Sequence, residues 1–359
     1  MIDQESPEQL SPSLSDLRAQ NRLQERPAFH DEAEGNFEQR RALTPEDRAE
    51  MDQKIARLSA LLSGALVRWQ LDGALNISLL KGDYIGVHKD VDLSVEPEDL
   101  EALEEHLHKQ GYGLFLNSKH ADPSKKTMMW VAASEFREAP HERSLAAIDA
   151  KGKICFDATL NFVDVHLVQR DGKGRPLGFQ GIPLPEKWYE PKLFIYRGNE
   201  LFLSHPAKVA YFKLHGDRAY DLVDLLALAE TGALSLDDIH DIEHLIKQEE
   251  KDIKQKIQTV TQRVAPQITP GMTGENLYRL FSEAPEMVTL LKTSEEQKHF
   301  RGLMDSLASQ TDSNVASIQH FFFEYYVQQK YVSLRQQNLE RLRARVAEIQ
   351  TIQKMESSL

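Results

Sequence analysis

Two aspartates separated by a single residue, Asp90 and Asp92, stand in the apolar stretch GVHKDVDLSV. Side chains two residues apart on a β-strand project from the same face, so these carboxylates would share one face while Val91, Leu93 and Val95 point to the other. Like charges so close repel each other unless a cation lies between them. The spacing therefore predicts a site for divalent metal ions, and the plainer alternative is a solvated strand.

A third carboxylate, Asp164, lies in the segment NFVDVHLV. Apolar residues occupy both alternating sets of this segment, so we expect a central strand that is covered on both faces. An aspartate on such a strand needs a partner. If the strand lies beside the one with Asp90 and Asp92, three acidic groups converge; otherwise Asp164 pairs with a lysine or a backbone donor. His166 falls on the same face, where it either flanks the site or fills the core.

The turn Gly73-Ala74 precedes a short segment that is compatible with a helix, in DGALNISLLKG. Phosphate groups bind to backbone N–H donors that they can approach closely. Glycine permits this approach, and the N-terminus of a following helix adds a favourable dipole. The turn is therefore a candidate for binding a phosphorylated substrate.

A glycine turn, a short helix, an Asp-x-Asp strand and a distant third aspartate occur together in this chain. In this combination LDGALNISLLKGDYIGVHKDVDLSV resembles the nucleotidyltransferase superfamily related to DNA polymerase β. It is most similar to the lincosamide and aminoglycoside 2''-nucleotidyltransferase branch, whose members carry Gly-Gly, a short helix and a His-Lys-Asp-[Ile/Val]-Asp strand. FVDVHLV is similar to that family's third-carboxylate strand, and HPAKVAYFKLHGDRAYDLVDLLAL to the helical segment that closes its catalytic domain. The resemblance covers roughly residues 58–230.

The resemblance implies a role for each matching residue. Asp90, Asp92 and Asp164 would be catalytic residues that bind two Mg²⁺ ions, and Asp164 would also help to deprotonate an acceptor hydroxyl. Gly73 and Ala74 would hold a nucleoside triphosphate (NTP) through backbone N–H groups. The implied reaction transfers a nucleoside monophosphate from the NTP to the acceptor and releases pyrophosphate.

Basic residues complete the implied site. Lys208 and Lys213 would pair with phosphates and stabilise the departing pyrophosphate, although they could equally be surface lysines of an amphipathic helix. Lys89 would contribute to nucleotide binding, and His88 would flank the site with it. Ala74 departs from the Gly or Ser usual in the family: it keeps the backbone N–H but lacks a hydroxyl, which predicts altered triphosphate binding or a weaker enzyme.

Composition narrows the class of protein. The chain has 359 residues, 41% hydrophobic and 28% charged, with a net charge of -13, which is typical of a globular protein and argues against nucleic acid as the main partner. A single cysteine, Cys155, excludes an intrachain disulfide. No signal peptide and no run of 18 apolar residues is evident, so we expect a cytoplasmic protein without a membrane partner.

The pattern of apolar residues predicts three segments. Residues 1–43 are read as a flexible acidic arm, residues 44–232 as the nucleotidyltransferase domain and residues 233–359 as a helical domain. In the second segment we expect one helix from Thr44, its N-cap, through Trp69. A β-hairpin is predicted to turn at Gly198-Asn199.

The sequence therefore predicts an α/β (α+β) nucleotidyltransferase core with a mixed sheet, followed by an all-helical C-terminal domain. The acceptor is left open, with a small molecule or a protein favoured over an RNA end, and oligomerisation through the C-terminal helices is considered. The alternative function is a catalytically silent protein of this fold that binds a partner, or acts in a toxin–antitoxin pair, through its helical domain.

Overall fold

The computed structural model describes residues 13–25, 43–88, 91–118, 127–139, 142–155, 160, 163–216, 218, 220–269, 271–288, 291, 294–309 and 333–358. The chain divides into two compact units. Unit 1 comprises Met1–Gln169 and Glu186–Val209, and unit 2 comprises Arg170–Pro185 and Ala210–Leu359. The domain boundaries given above, 44–232 and 233–359, stay a prediction.

Unit 1 contains a nine-stranded mixed sheet in the order β1-β5-β4-β6-β7-β3-β2-β9-β8. Only the pairs β3–β7 and β2–β9 are parallel. The strands are β1 (Leu23–Glu25), β2 (Trp69–Leu71), β3 (Asp92–Val95), β4 (Tyr112–Ser118), β5 (Thr127–Trp130), β6 (Glu142–Ala147), β7 (Val163–Leu167), β8 (Lys192–Tyr196) and β9 (Asn199–Leu203).

The helices of unit 1 are α1 (Leu14–Gln20), α2 (Pro45–Leu62), α3 (Gly73–Lys81), α4 (Leu100–Lys109) and α5 (Ala133–Glu138). Apolar side chains of α2, α4 and α5 pack against one face of the sheet, where they form the main core with residues such as Leu93, Val95, Leu145, Val163 and Val165. These strand residues alternate with polar ones, as the period-two pattern predicts. Asp92 and Asp164 therefore lie on the opposite face, part of which is covered by a second apolar cluster around Phe115 and Trp130.

Two element boundaries differ from the sequence prediction. Thr44 caps α2 with the predicted geometry, but the helix ends at Leu62 and Trp69 begins a strand. Gly64, with φ of +73°, stops the helix, and Leu66 is exposed rather than packed. The hairpin turns at Arg197-Gly198, one residue earlier than predicted, because both residues have positive φ, as a two-residue turn of type I′ requires.

Part of the predicted flexible arm is folded. Residues 13–25 form α1 and β1, and β1 pairs with β5 at the edge of the sheet. The Gln24 side chain explains the docking: its amide nitrogen donates to the carbonyl oxygen of Gly152, and its amide oxygen accepts from the N–H of Ile154. These side-chain contacts could not be predicted from the acidic composition of the arm.

Unit 2 is helical among its described residues apart from the Arg170–Pro185 segment. α6 (Pro206–Leu214) begins in unit 1 and continues into unit 2. α7 (Asp221–Glu230), α8 (Leu236–Val264), α9 (Gly274–Ser282), α10 (Pro285–Val288), α11 (Ser294–Ala308) and α12 (Ser333–Glu356) follow. The second half of α8 packs with α9, α10 and α11 around Phe281 and Phe300. The aromatic run FFFEYY lies outside the described residues.

The predicted fold class, a mixed α/β core followed by a helical C-terminal region, is confirmed. None of the helices in the described part of the chain is long and apolar enough to cross a membrane.

Candidate active site

Two of the three predicted carboxylates lie side by side. Asp92 begins β3 and Asp164 lies in β7, and these residues are direct register partners in the parallel pair. Partners in adjacent strands project from the same face of a sheet, so the two side chains share the polar face, where the Asp92 side chain is 32% exposed. Asp90 and Lys89 lie outside the described residues.

β7 has only one covered face around Asp164. The strand is central, between β6 and β3, as predicted. Val163 and Val165 are buried, but Asp164 is half-buried and the His166 side chain is 63% exposed. The expectation that both faces are covered is therefore wrong for Asp164 and His166: Val168, which helped to suggest it, follows the end of β7, and Phe162 is outside the described residues.

Gly73 brings the first turn of α3 directly against Asp92. Its φ is +69°, a conformation that L side chains rarely adopt. A Cβ atom at this position would lie 2.2 Å from Oδ2 of Asp92, so any side chain would displace the carboxylate. The backbone N–H of Asp72 also donates to the carbonyl oxygen of Asp92 over 2.8 Å. The glycine turn and the carboxylate strand are thus in direct contact through both a side chain and the backbone.

The N-terminus of α3 has no side-chain cap. Asp72 occupies the N-cap position, but its carboxylate makes no capping hydrogen bond and instead accepts from Ser94 and Lys208. The first N–H groups of a helix have no intrahelical acceptor. Together with the helix dipole, those of Gly73 and Ala74 provide a suitable site for an anion.

Lys208 lies inside unit 1 rather than on a surface. Its Nζ donates to Oδ2 of Asp72 over 3.0 Å and to Oγ of Ser94 over 2.8 Å. The Lys208 residue is 2% exposed. Further contacts are with Gln70, Ser204 and the ring of Tyr189.

Asp72, which directly precedes the glycine turn, is held in its charged form by Lys208. Burial alone raises the pKa of Asp72, but the charge of Lys208 and hydrogen bonds from Ser204, Ser94 and Lys208 outweigh burial and hold this pKa below its usual value. Burial lowers the pKa of Lys208. Asp72 therefore remains a carboxylate that anchors the ammonium group, and a contact of Lys208 with phosphate would require this pair to open.

The remaining predicted basic residues have other partners. Lys213 belongs to unit 2, where its buried Nζ donates to Asp221 over 3.2 Å and to Asp224 over 2.7 Å. His88 is buried, and its Nε2 lies 2.7 Å from Oγ of Ser78 on α3. The roles of Lys208 and Lys213 at phosphate stay predictions.

His166 lies beside the two carboxylates. Its Nε2 is 3.2 Å from Oδ1 of Asp92. Burial lowers the pKa of His166, but the hydrogen bond to Asp92 and the negative charges of Asp92, Asp72 and Asp164 raise it more, so the net shift is upward. Because its side chain is 63% exposed and contacts Asp92, the ring lies at the edge of the carboxylate pair and not in the core.

Sequence reasoning did not single out Asp72, Ser94, Ser144 or Asn117, which hold the site residues from behind. Asp72 stands next to the glycine turn, and Ser94 continues the polar alternation of Asp92, so both had a signal in the sequence. Ser144 follows Glu142 and Arg143 in β6, and Asn117 precedes Ser118 at the end of β4, so each looked like part of a polar strand end and matched no motif.

The donor chemistry fits Mg²⁺. Asp92 and Asp164 supply carboxylate oxygens, the ligands that Mg²⁺ prefers, and their proximity leaves like charges to be compensated. No group of three or more His, Cys, Asp or Glu side chains suited to a metal ion is found among the described residues, which exclude Asp90.

Residues 54–143 match the family model of the aminoglycoside-2''-adenylyltransferases. The matched segment includes the glycine turn, α3 and β3, but not β7 with Asp164 or α6 with Lys208. The match confirms the predicted resemblance to the nucleotidyltransferase branch and the prediction that the chain is a nucleotidyltransferase. No curated protein sequence matches the chain.

Two solved structures are similar at low identity. The lincosamide antibiotic adenylyltransferase LnuA, in its lincomycin-bound form, is 14% identical, with 54% of this chain and 95% of that chain covered and a TM-score of 0.30. An antigenic nucleotidyltransferase-like protein from Paracoccidioides brasiliensis is 12% identical, with 71% of this chain and 93% of that chain covered and a TM-score of 0.27.

Proposed function

We propose that this protein transfers a nucleoside monophosphate from an NTP to a hydroxyl group of an acceptor and releases pyrophosphate. The single observation that carries the proposal is the contact between Gly73 and Asp92, where a Cβ atom would meet the carboxylate oxygen at 2.2 Å. This contact joins an uncapped helix N-terminus, suited to phosphate, to a carboxylate suited to a metal ion. A nucleotidyltransferase requires both features next to each other.

Each group of site residues has a separate role in the proposed reaction. Backbone N–H groups of Gly73 and Ala74 orient the phosphates at the N-terminus of α3. Asp90, Asp92 and Asp164 would hold two Mg²⁺ ions, which supply positive charge to the α-phosphate and the attacking and leaving oxygens. The Asp164 carboxylate accepts the proton of the acceptor hydroxyl. Because most of the catalysis of phosphoryl transfer comes from positioning and charge, rigid support of these groups matters.

The acceptor class follows from charge. With 43 basic and 56 acidic residues, the chain has a net charge of -13, and a polyanionic acceptor would be repelled at long range. We therefore favour a small molecule or a protein side chain over an RNA end. ATP and the other NTPs are treated as equal candidates for the co-substrate.

The test is label transfer. The purified protein is incubated with each α-labelled NTP, MgCl₂, and either a lincosamide, an aminoglycoside or a cell extract. We expect a labelled product with at least one combination, and a loss on the order of 100-fold in Asp92→Asn and in Asp164→Asn. Glu50→Gln, which removes an exposed charge on α2, is the matched control and should keep the wild-type rate.

The contrary outcome is equally concrete. Absence of NTP binding by calorimetry, together with capture of a partner by the full-length protein, would replace this proposal with the alternative of a catalytically silent binding protein. Equal label transfer by wild type, Asp92→Asn and Asp164→Asn would show that the carboxylates of β3 and β7 are not the reacting site.

A further inference from the structure

A chain of two buried polar side chains leads to Asp164 from the side opposite to Asp92. Oγ of Ser144, on β6, lies 3.1 Å from Oδ1 of Asp164. Nδ2 of Asn117, on β4, lies 3.0 Å from Oγ of Ser144. Ser144 is fully buried and Asn117 is 8% exposed. The three residues therefore connect the half-buried carboxylate to the interior of the sheet.

The direction of these hydrogen bonds follows from the available protons. A carboxylate only accepts, so the single hydroxyl proton of Ser144 must be donated to Asp164. The Ser144 oxygen must then accept from Asn117, which explains why the amide presents Nδ2 rather than its oxygen. One amide proton of Asn117 is therefore donated to Ser144, the hydroxyl proton of Ser144 is donated onward, and the last acceptor is the Asp164 carboxylate.

Core filling alone does not explain this arrangement. Burial of a hydroxyl and an amide is costly unless both are fully hydrogen-bonded. Within the described residues, Oδ1 of Asn117 is buried without a hydrogen-bond partner. On the same face, Phe115 and Ala146 belong to an apolar cluster, so apolar residues at positions 117 and 144 would pack there at less cost.

We propose that Ser144 and Asn117 are positioning residues for Asp164. Ser144 holds the carboxylate in one orientation through Oδ1, and Asn117 acts only through Ser144, because it fixes the hydroxyl rotamer that donates. The inference rests on the proposed function, since it assigns these residues to the metal-binding and proton-accepting carboxylate. It predicts that their loss weakens the binding of a divalent cation without unfolding the protein.

The experiment measures Mn²⁺ binding directly, by electron paramagnetic resonance of the free ion, in the full-length protein without nucleotide. Ser144→Ala should raise the Kd for Mn²⁺ by about 10- to 100-fold, the range typical of residues that orient metal ligands. Asn117→Ala should raise it less. The double variant should match Ser144→Ala, because Asn117 has no route to Asp164 once the hydroxyl is gone.

Two further measurements separate positioning from a general loss of stability. In label-transfer assays Ser144→Ala should lower kcat in proportion to its lost cation affinity and change the KM for the NTP by less than about threefold. Tyr112→Phe is the matched control: it removes a buried hydrogen bond to Leu160, 3.3 Å long, from the same strand as Asn117. It should leave the Kd for Mn²⁺ unchanged even where the melting temperature falls.

The outcomes are distinct. If Mn²⁺ binds wild type and Ser144→Ala with Kd values within twofold, or if the effects of Ser144→Ala and Asn117→Ala add in full, the inference is wrong while the proposed function stands. If wild type neither binds Mn²⁺ nor transfers label, the proposed function fails and this inference fails with it. Should Ser144→Ala not fold, Asn117→Ala alone decides: an unchanged Kd overturns the proposal.

Discussion

At Gly73, a hydrogen in place of a side chain meets two separate requirements. The backbone φ of +69° suits glycine, and the Asp92 carboxylate occupies the space that a Cβ atom would need. The first requirement concerns stability, and the second concerns the position of a site residue. The two can be separated because Gly82, at the other end of α3, shares only the first.

Gly73→Ala should therefore abolish label transfer, whereas Gly82→Ala should not. Both variants lose roughly 1–2 kcal/mol of stability because alanine is strained at positive φ. Gly82 has φ of +74° and no atom within 4 Å of an added Cβ, so it is a matched control. Urea unfolding measures the shared loss and the label-transfer rate measures the difference. Equal activity of the two variants would show that the Asp92 contact is unimportant.

Lys208 and Asp72 form a buried ion pair whose partners depend on each other. Lys208→Met leaves the Asp72 carboxylate without its cation and should lower the free energy of unfolding by about 3–5 kcal/mol. The double variant Asp72→Asn/Lys208→Met should lose less than the sum of the single variants, because neither charge is left alone. A double-mutant cycle from urea denaturation checks this, and full additivity would show that the pair is not coupled.

The same pair predicts a dependence on pH. The pKa of Asp72 is lowered on folding, so its contribution is present above the unfolded value of 3.8 and is lost as the pH falls through the folded pKa. The penalty of Asp72→Asn should therefore be largest near pH 6 and should shrink below about pH 4. Asp83→Asn, which removes an exposed ion pair to Arg48, should cost little at any pH. A penalty for Asp72→Asn that is constant with pH would contradict this assignment.

At the scale of single elements, the sequence predicted the N-cap of α2 at Thr44, and the structure shows a cap of the same kind on α8. Ser235 caps α8 by accepting from the N–H of Asp238, whose carboxylate accepts from the Ser235 N–H in return. Ser235→Ala should lower stability by about 1 kcal/mol without changing label transfer. Thr259 lies in the same helix, and among the described residues its hydroxyl bonds only to the Gln255 carbonyl, so Thr259→Ala should be nearly neutral in urea unfolding. Equal losses would exclude a capping role.

In the strands, the local sequence pattern predicts which face a side chain occupies but not which strands pair. Alternation placed Leu93 and Val95 in the core and Asp92 on the opposite face, because period two follows from backbone geometry alone. The pairing of β3 with β7, which makes Asp92 and Asp164 neighbours, depends on tertiary contacts and could only be stated as a condition. Ser144 was not predicted for the same reason, because its hydrogen bond to Asp164 requires β6 to pair with β7.

Lys208 is a residue whose burial was not predicted from the sequence. In the sequence it looked like a cation available to phosphate, since lysine is rarely buried. Its neighbours in α6, Ala207, Val209 and Ala210, are apolar and buried, whereas Phe212 on the same helix is 38% exposed. The apolar residues that flank Lys208 in the sequence were the available signal that this lysine needs an internal partner.

At the scale of the whole molecule, the net charge of -13 makes a prediction about the acceptor. A protein that recruits RNA through phosphate contacts loses affinity steeply as salt rises, because counterions are released on binding. An acceptor of low charge, whether a small molecule or a protein side chain, releases no such set of counterions. We expect the product labelled in cell extract to survive ribonuclease, and its rate of formation to change by less than about threefold between 50 and 200 mM KCl. Glu50→Gln, which alters net charge by one unit, should leave the dependence of the rate on salt unchanged.

The contrary result is a labelled product that ribonuclease destroys and that forms at a rate falling by orders of magnitude over the same salt range. This result would identify an RNA end as the acceptor. It would also require a local basic surface that outweighs the net charge.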